Sequence, residues 1–188
     1  KGIDVKQEEI DIGNRFFAGN GTISFEKADL NSFIEPERYD LILCIDVLEH
    51  IKEDVKVMCN LCRSLKKGGL LIISTPSDQG GSDVHEHGQS SFIEEHVRDG
   101  YGKKEIEDKL EKAGFSKTGV SYSYGKPGQL SWKISMKYPI KMLNLGWIFF
   151  LILPFYYMIT LPFAMLLNFM DLRGNHESGT GLIVRAVK

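Results

Sequence analysis

Apolar residues along the chain fall into two kinds of pattern. Short uninterrupted runs, Leu41 to Ile45 within YDLILCIDVLEHI and Leu70 to Ile73 before Ser74-Thr75-Pro76, are bounded by charge or by a breaker. Such runs are too short for helices and predict strands buried on both faces, as in a parallel sheet. Elsewhere apolar positions recur at helical spacing. Val5 to Phe17 carries Ile10 and Phe17 on one face, and Glu53 to Lys66 carries Val55, Met58, Leu61, Cys62 and Leu65. Lys103 to Ala113 carries Ile106 and Leu110. These predict amphipathic helices laid on the sheet, the second ended by Gly68-Gly69 and the third by Gly114. Alternating stretches complete the strands: Ile23, Phe25 and Ala28 leading to Asp29, then Phe115 to Tyr124, then Gly181 to Val187. Gly2-Ile3-Asp4 reads as the end of a strand that starts outside these residues. Strands alternating with helices predict an α/β fold.

Ligands of open α/β sheets bind at the carboxyl edge of the strands. The predicted strand ends deliver Asp4, Asp29 and Asp46 there, with Glu49 and His50 just beyond. A carboxylate placed like Asp4 can accept hydrogen bonds from both hydroxyls of a ribose. It can equally cap the helix that follows. Asp29 taken alone reads as an exposed turn residue.

The stretch Asp46-Val-Leu-Glu-His-Ile51 after a buried strand resembles the fourth-strand motif of class I S-adenosylmethionine-dependent methyltransferases, especially the small-molecule group. The order of helix, Lys66-Lys-Gly-Gly69, apolar strand and Thr75-Pro76 is similar to that family, as are His96-Val-Arg98 with Tyr101 and Ala113-Gly-Phe115. The resemblance implies a Rossmann-like doubly wound sheet whose last strand, Gly181 to Val187, is antiparallel and inserted between the fifth and sixth. It implies S-adenosylmethionine as cofactor, with ribose on Asp4, the adenine amino group on Asp29, Leu30 against the ring, and Asp46 in the same site. The family's first strand and its glycine-rich turn have no counterpart here, since Ala18-Gly-Asn-Gly21 follows the first helix. The expectation is an N-terminally truncated sheet with two strands short of a partner, folding marginally and binding the donor poorly.

The core is thus expected in residues 1–124 and 181–188, with 125–180 as an insertion that the family's core does not need. Met142 through Met170 contains no Asp, Glu, Lys, Arg or His. That length and apolarity match a membrane span. A single span conflicts with a chain that must return to the same sheet, and Pro154 and Pro162 are expected to break the run into shorter pieces. Two readings remain. One is a helical hairpin dipping into one leaflet, with Trp147, Tyr156 and Tyr157 as interfacial aromatics and Lys133, Lys137 and Lys141 on anionic headgroups. The other is an apolar subdomain packed over the site or against a second subunit.

A net charge of −2 and a pI near 6.2 give no footprint for nucleic acid. Cys44, Cys59 and Cys62 make no disulfide framework and suit a reducing cytoplasm, at the inner face of the membrane if residues 142–170 enter lipid. The Cys59/Cys62 pair lacks the second pair of a zinc tetrad, and no metal is expected. If the methyl acceptor is a hydroxyl, a base is needed: His96 is the first candidate, then His85 and His87. The expected activity is methyl transfer to a small or lipid-linked acceptor. Two other classes compete: a membrane interaction module that has lost its donor site, and a nicotinamide-dependent oxidoreductase. The second also uses an acid like Asp4 but has no need of Asp29-Leu30 or the Asp46 motif.

Overall fold

The computed structural model of the chain describes residues 1–80 and 97–188. Strand β1 (Gly2–Asp4) leads into helix α1 (Gln7–Phe16), and β2 (Phe25–Lys27) pairs with β1 in parallel. Strand β3 (Tyr39–Ile45), helix α2 (Asp54–Ser64) and β4 (Leu65–Pro76) form a parallel β-α-β unit. Helix α3 (Lys103–Lys112) precedes β5 (Lys117–Ser123), and the chain closes with β6 (Gly181–Val187). The order in this second sheet is β3-β4-β6-β5, with β6 antiparallel to both neighbours. The antiparallel last strand therefore lies where the family resemblance implied, with the bounds read from the sequence.

One face of the sheet holds the core. Val57, Met58, Leu61 and Cys62 of α2 and Ile106 and Leu110 of α3 pack on Cys44, Leu71, Ile73, Val184 and Ala186, all buried. The apolar stripe of each helix turns inward, and that burial is the main stabilising term. The opposite face differs from expectation. Leu41, Leu43 and Ile45 alternate outward on β3 and remain 49%, 59% and 53% exposed. β3 is therefore covered on one face only among the described residues, and its outer edge pairs with none of them. Among the described residues β1-β2 and β3-β4-β6-β5 form two separate sheets, with no strand between β1 and β3.

Two boundaries also differ. Helix α2 ends at Ser64 rather than Lys66, because the Ser64 hydroxyl bonds back to the Asn60 carbonyl and Leu65 turns extended to pair with Tyr39. Gly68, at φ +75°, bends the entry of β4 instead of capping the helix. Between β5 and β6 lie α4 (Lys126–Trp132), a π turn over Lys133–Lys137, α5 (Tyr138–Leu145) and α6 (Phe149–Arg173). Helix α6 runs unbroken through Pro154 and Pro162, contrary to the predicted break. Each proline removes one amide donor, which a long helix survives when the turns on both sides hold.

Candidate active site

Asp4 ends β1 with its carboxylate exposed, and its Oδ1 accepts the Lys6 amide at 2.7 Å. This is a local turn, and it leaves the other carboxylate oxygen for a ligand. Beside it, Ala28 donates its amide to the Asp4 carbonyl at 3.0 Å as the chain leaves β2. Asp29 follows, exposed, with Oδ1 accepting both the amide and the side chain of Asn31. Leu30 is half-buried and packs against the main core. Buried Asn60 of α2 donates from Nδ2 to the carbonyls of Leu30 at 2.9 Å and Asn31 at 3.2 Å. The chain then descends α2 to its last turn, where the Glu35 amide bonds to Ser64 and the Glu37 amide to Arg63, and β3 begins. An exposed carboxylate at one strand end and a carboxylate beside a partly covered leucine at the next suit a ribose and an adenine respectively.

At the carboxyl end of β3, Asp46 adopts φ +50°, a conformation uncommon outside glycine but accessible to Asp, and its amide bonds to the Ser74 carbonyl of β4. The side chain is exposed at the edge. The following turn, Leu48–His50, tucks Leu48 and Glu49 inward. Glu49 is 1% exposed and accepts the Thr75 hydroxyl at 3.2 Å. Burial, with the nearby Asp46 charge adding to it, pushes the Glu49 carboxyl above its ordinary range. Cys44 is shut away on the same strand, its thiol pushed up to about 12 by burial, so it is no nucleophile.

A second cluster backs this turn. Asp54 Oδ2 accepts from Arg98 at 2.5 Å, Lys109 at 2.7 Å and the Tyr101 hydroxyl at 2.8 Å. Arg98 also reaches the Ile51 carbonyl, Tyr101 the Leu48 carbonyl, and the Val97 amide the Glu49 carbonyl. Burial alone would raise the Asp54 carboxyl, but Lys109, Tyr101 and Arg98 together hold it below the usual range. Tyr101 is wholly buried with both cations near its ring face. Gly100 allows this docking: at φ +139°, a Cβ there would lie 2.5 Å from the main chain of Ser77.

The sequence singled out Arg98 and Tyr101 but not Asp54 or Lys109, which only the α2–α3 packing brings to them. It named Glu49 without a role; its burial has no local sequence signal beyond Leu48 beside it. His85, His87 and His96, the candidate bases, lie outside the described residues.

A family profile described as a methyltransferase domain matches residues 2–119. The ubiquinone biosynthesis O-methyltransferase of Rickettsia bellii is 30% identical over 74 residues, covering 39% of this chain and 31% of that protein. The chain thus aligns with about a third of the length of such relatives. Among solved structures, phosphoethanolamine N-methyltransferase 2 of Haemonchus contortus with S-adenosyl-L-methionine superposes over the whole chain and 42% of its own, with a TM-score of 0.65 and 17% identity. A possible histamine N-methyltransferase of Thermotoga maritima superposes over the whole chain and 72% of its own, with a TM-score of 0.63 and 15% identity. At such identities these two structures speak for the fold alone.

Proposed function

Because the chain belongs to the methyltransferase-domain family, we propose that it transfers methyl groups from S-adenosylmethionine to a small acceptor. The carrying observation is that the matched residues place exposed carboxylates at successive strand ends, Asp4, Asp29 and Asp46, with Leu30 half-covered beside the second. In this reading Asp4 accepts the ribose hydroxyls, Asp29 takes the adenine amino group through its oxygen not held by Asn31, and Leu30 packs on the ring. Asp46, held outward by its positive φ, faces the remainder of the donor. The cofactor supplies an electrophilic methyl on sulfonium sulfur. The chain's own task is to align the acceptor and, for a hydroxyl acceptor, to take its proton. His96 is the first proposed base, then His85 and His87.

We divide the chain into a methyltransferase core, residues 1–124 and 181–188, and an insertion, residues 125–180. A lipid-linked acceptor is favoured by where that insertion is rooted. The Ser77 amide bonds to the Thr180 carbonyl and the Ser77 hydroxyl to the Gly179 carbonyl, so its base adjoins the end of β4. That is the same sheet edge as Asp46 and Glu49. The relatives named for ubiquinone biosynthesis are consistent with a hydrophobic acceptor. Free Cys44, Cys59 and Cys62 favour a reducing cytoplasm.

Calorimetric titration of S-adenosylhomocysteine into the full polypeptide tests the donor half. Transfer of labelled methyl into lipid extract compared with aqueous metabolite extract tests the acceptor half. A well-folded protein that binds no donor product would leave the interaction-module reading in its place.

A further inference from the structure

The residues between β5 and β6 form an antiparallel helical hairpin. Its rising leg is α4, the π turn and α5; its falling leg is α6; Gly146 to Ile148 make the tip. Root and return are adjacent, since Ser123 and Gly181 are register partners in the sheet. The legs meet through Gly128 and Asp171, Ser131 and Ala164, Ile134 and Tyr156, and Ser135 and Tyr157.

The polarity of this hairpin is inverted relative to a water-soluble one. The Ser131 hydroxyl donates inward to the Ala164 carbonyl at 2.9 Å. The Tyr156 and Tyr157 hydroxyls donate to the carbonyls of Ile134 and Ser135 within the π turn, at 2.7 and 2.8 Å. The two tyrosines therefore stitch the legs together and are not the interfacial belt expected of them. Outside, α6 presents Phe150, Leu151, Phe155, Met158, Ile159, Leu161, Met165, Leu166, Phe169 and Met170 to the surroundings. Its most apolar 18-residue window has a mean hydropathy of 2.0 and is only 11% buried. Small and hydroxyl-bearing residues between helices, with hydrocarbon outside, is the arrangement of helices packed in lipid.

A second copy docked on this hairpin would cover one side of α6 and leave another apolar side in water. A helix apolar on every side needs an apolar surrounding. Charge narrows the choice further. From Lys112 to Met170 there is no Asp or Glu, but there are six lysines, of which Lys133, Lys137 and Lys141 follow at four-residue spacing on the rising leg. Full insertion of the hairpin along its axis would carry these three into hydrocarbon, at a cost of about 2.5 kcal/mol or more each. We propose that the hairpin is a monotopic membrane anchor: α6 and the tip sink into one leaflet of an anionic bilayer, and the lysines of the rising leg sit at its phosphates. The sheet edge that carries Asp46 and Glu49 then faces the bilayer surface. The anchor stands on the hairpin alone and is measured without methyl donor, so its failure would leave the donor site untouched.

Flotation of the full polypeptide with vesicles of phosphatidylcholine, with and without phosphatidylglycerol, tests this. Binding should strengthen with the anionic lipid. The triple variant Lys133→Gln, Lys137→Gln, Lys141→Gln should lose roughly 100-fold in partitioning to anionic vesicles, at about a fivefold step per lysine near the surface. In a Trp132→Phe background, Trp147 should be quenched more by phospholipids brominated near the glycerol end than by those brominated at the chain terminus. A protein that stays in water as a discrete dimer and ignores vesicles would overturn the proposal. So would a triple variant that binds anionic vesicles unchanged, or Trp147 quenching that peaks at the bilayer centre.

Discussion

Asn60 and Leu30 are joined by a hydrogen bond of 2.9 Å from side-chain amide to main-chain carbonyl, although they belong to different halves of the molecule. Asn60 sits buried on α2 in the main core; Leu30 follows β2 in the two-stranded sheet. The same amide reaches the Asn31 carbonyl, so one side chain sets how Asp29 and Leu30 stand relative to α2. Asn60→Ala should therefore cost about 1–3 kcal/mol in stability, for carbonyls left without a donor. It should also weaken S-adenosylhomocysteine binding, although Asn60 has no place in the donor site. Chemical denaturation and titration on the same variant measure both.

Asp54 anchors Arg98, Tyr101 and Lys109 behind the Glu49 turn. Asp54→Asn strands two cations and should cost on the order of 3 kcal/mol. Because the folded pKa is depressed, wild-type Asp54 contributes its full stability above the ordinary carboxylate value of about 4 and loses it as pH falls through the folded value. Melting curves taken down through that range should fall for the wild type and converge on the variant.

Glu49 has the opposite sign. Its folded pKa is raised, so the folded state holds the proton more tightly than the unfolded chain, and stability falls as pH rises from the ordinary value of about 4.3 through the folded one. Glu49→Gln removes that fall. The melting temperature of the variant relative to the wild type should climb as pH rises from the ordinary carboxylate value of about 4.3 through the raised folded one. A difference that stays flat with pH would contradict the burial assigned to this carboxyl.

Gly100→Ala puts a Cβ against the Ser77 main chain at a φ that side chains rarely adopt. The Tyr101 amide bonds to the Pro76 carbonyl and the Asp78 amide to the Tyr101 carbonyl, so the substitution pushes apart the end of β4 and the strut behind the site. A loss of about 2 kcal/mol or more is expected, read as a melting temperature lower by roughly 4–8 °C at this chain length.

Strand and helix placement were readable from the sequence because LILCI, LLIIS and GLIVRAV are short, bounded runs with little competing pattern, whereas the strand order came from the family resemblance. The helix ends were less so: Ser64 bonding back to Asn60 outweighed the glycines four and five residues later. Proline misled at α6. At Pro154 and Pro162 the local breaker signal lost to a 25-residue helix whose other turns are intact. The Asp54 cluster could not be read, since Asp54, Arg98 and Lys109 lie far apart in sequence and meet only through the packing of α2 on α3. Tyr156 and Tyr157 had the composition of interfacial aromatics; only the hairpin register shows their hydroxyls turned inward.

The proposed donor site rests on Asp4 and Asp29, and substitutions there test it most directly. Both side chains are exposed and, among the described residues, bond to near neighbours in sequence, so Asp4→Asn and Asp29→Asn should leave folding intact. Titration of S-adenosylhomocysteine into the full polypeptide should show binding weakened at least tenfold by each change, the loss of one charge-assisted hydrogen bond of about 1.5–3 kcal/mol. Unchanged affinity in both folded variants would contradict the assignment of these two strand ends to the donor.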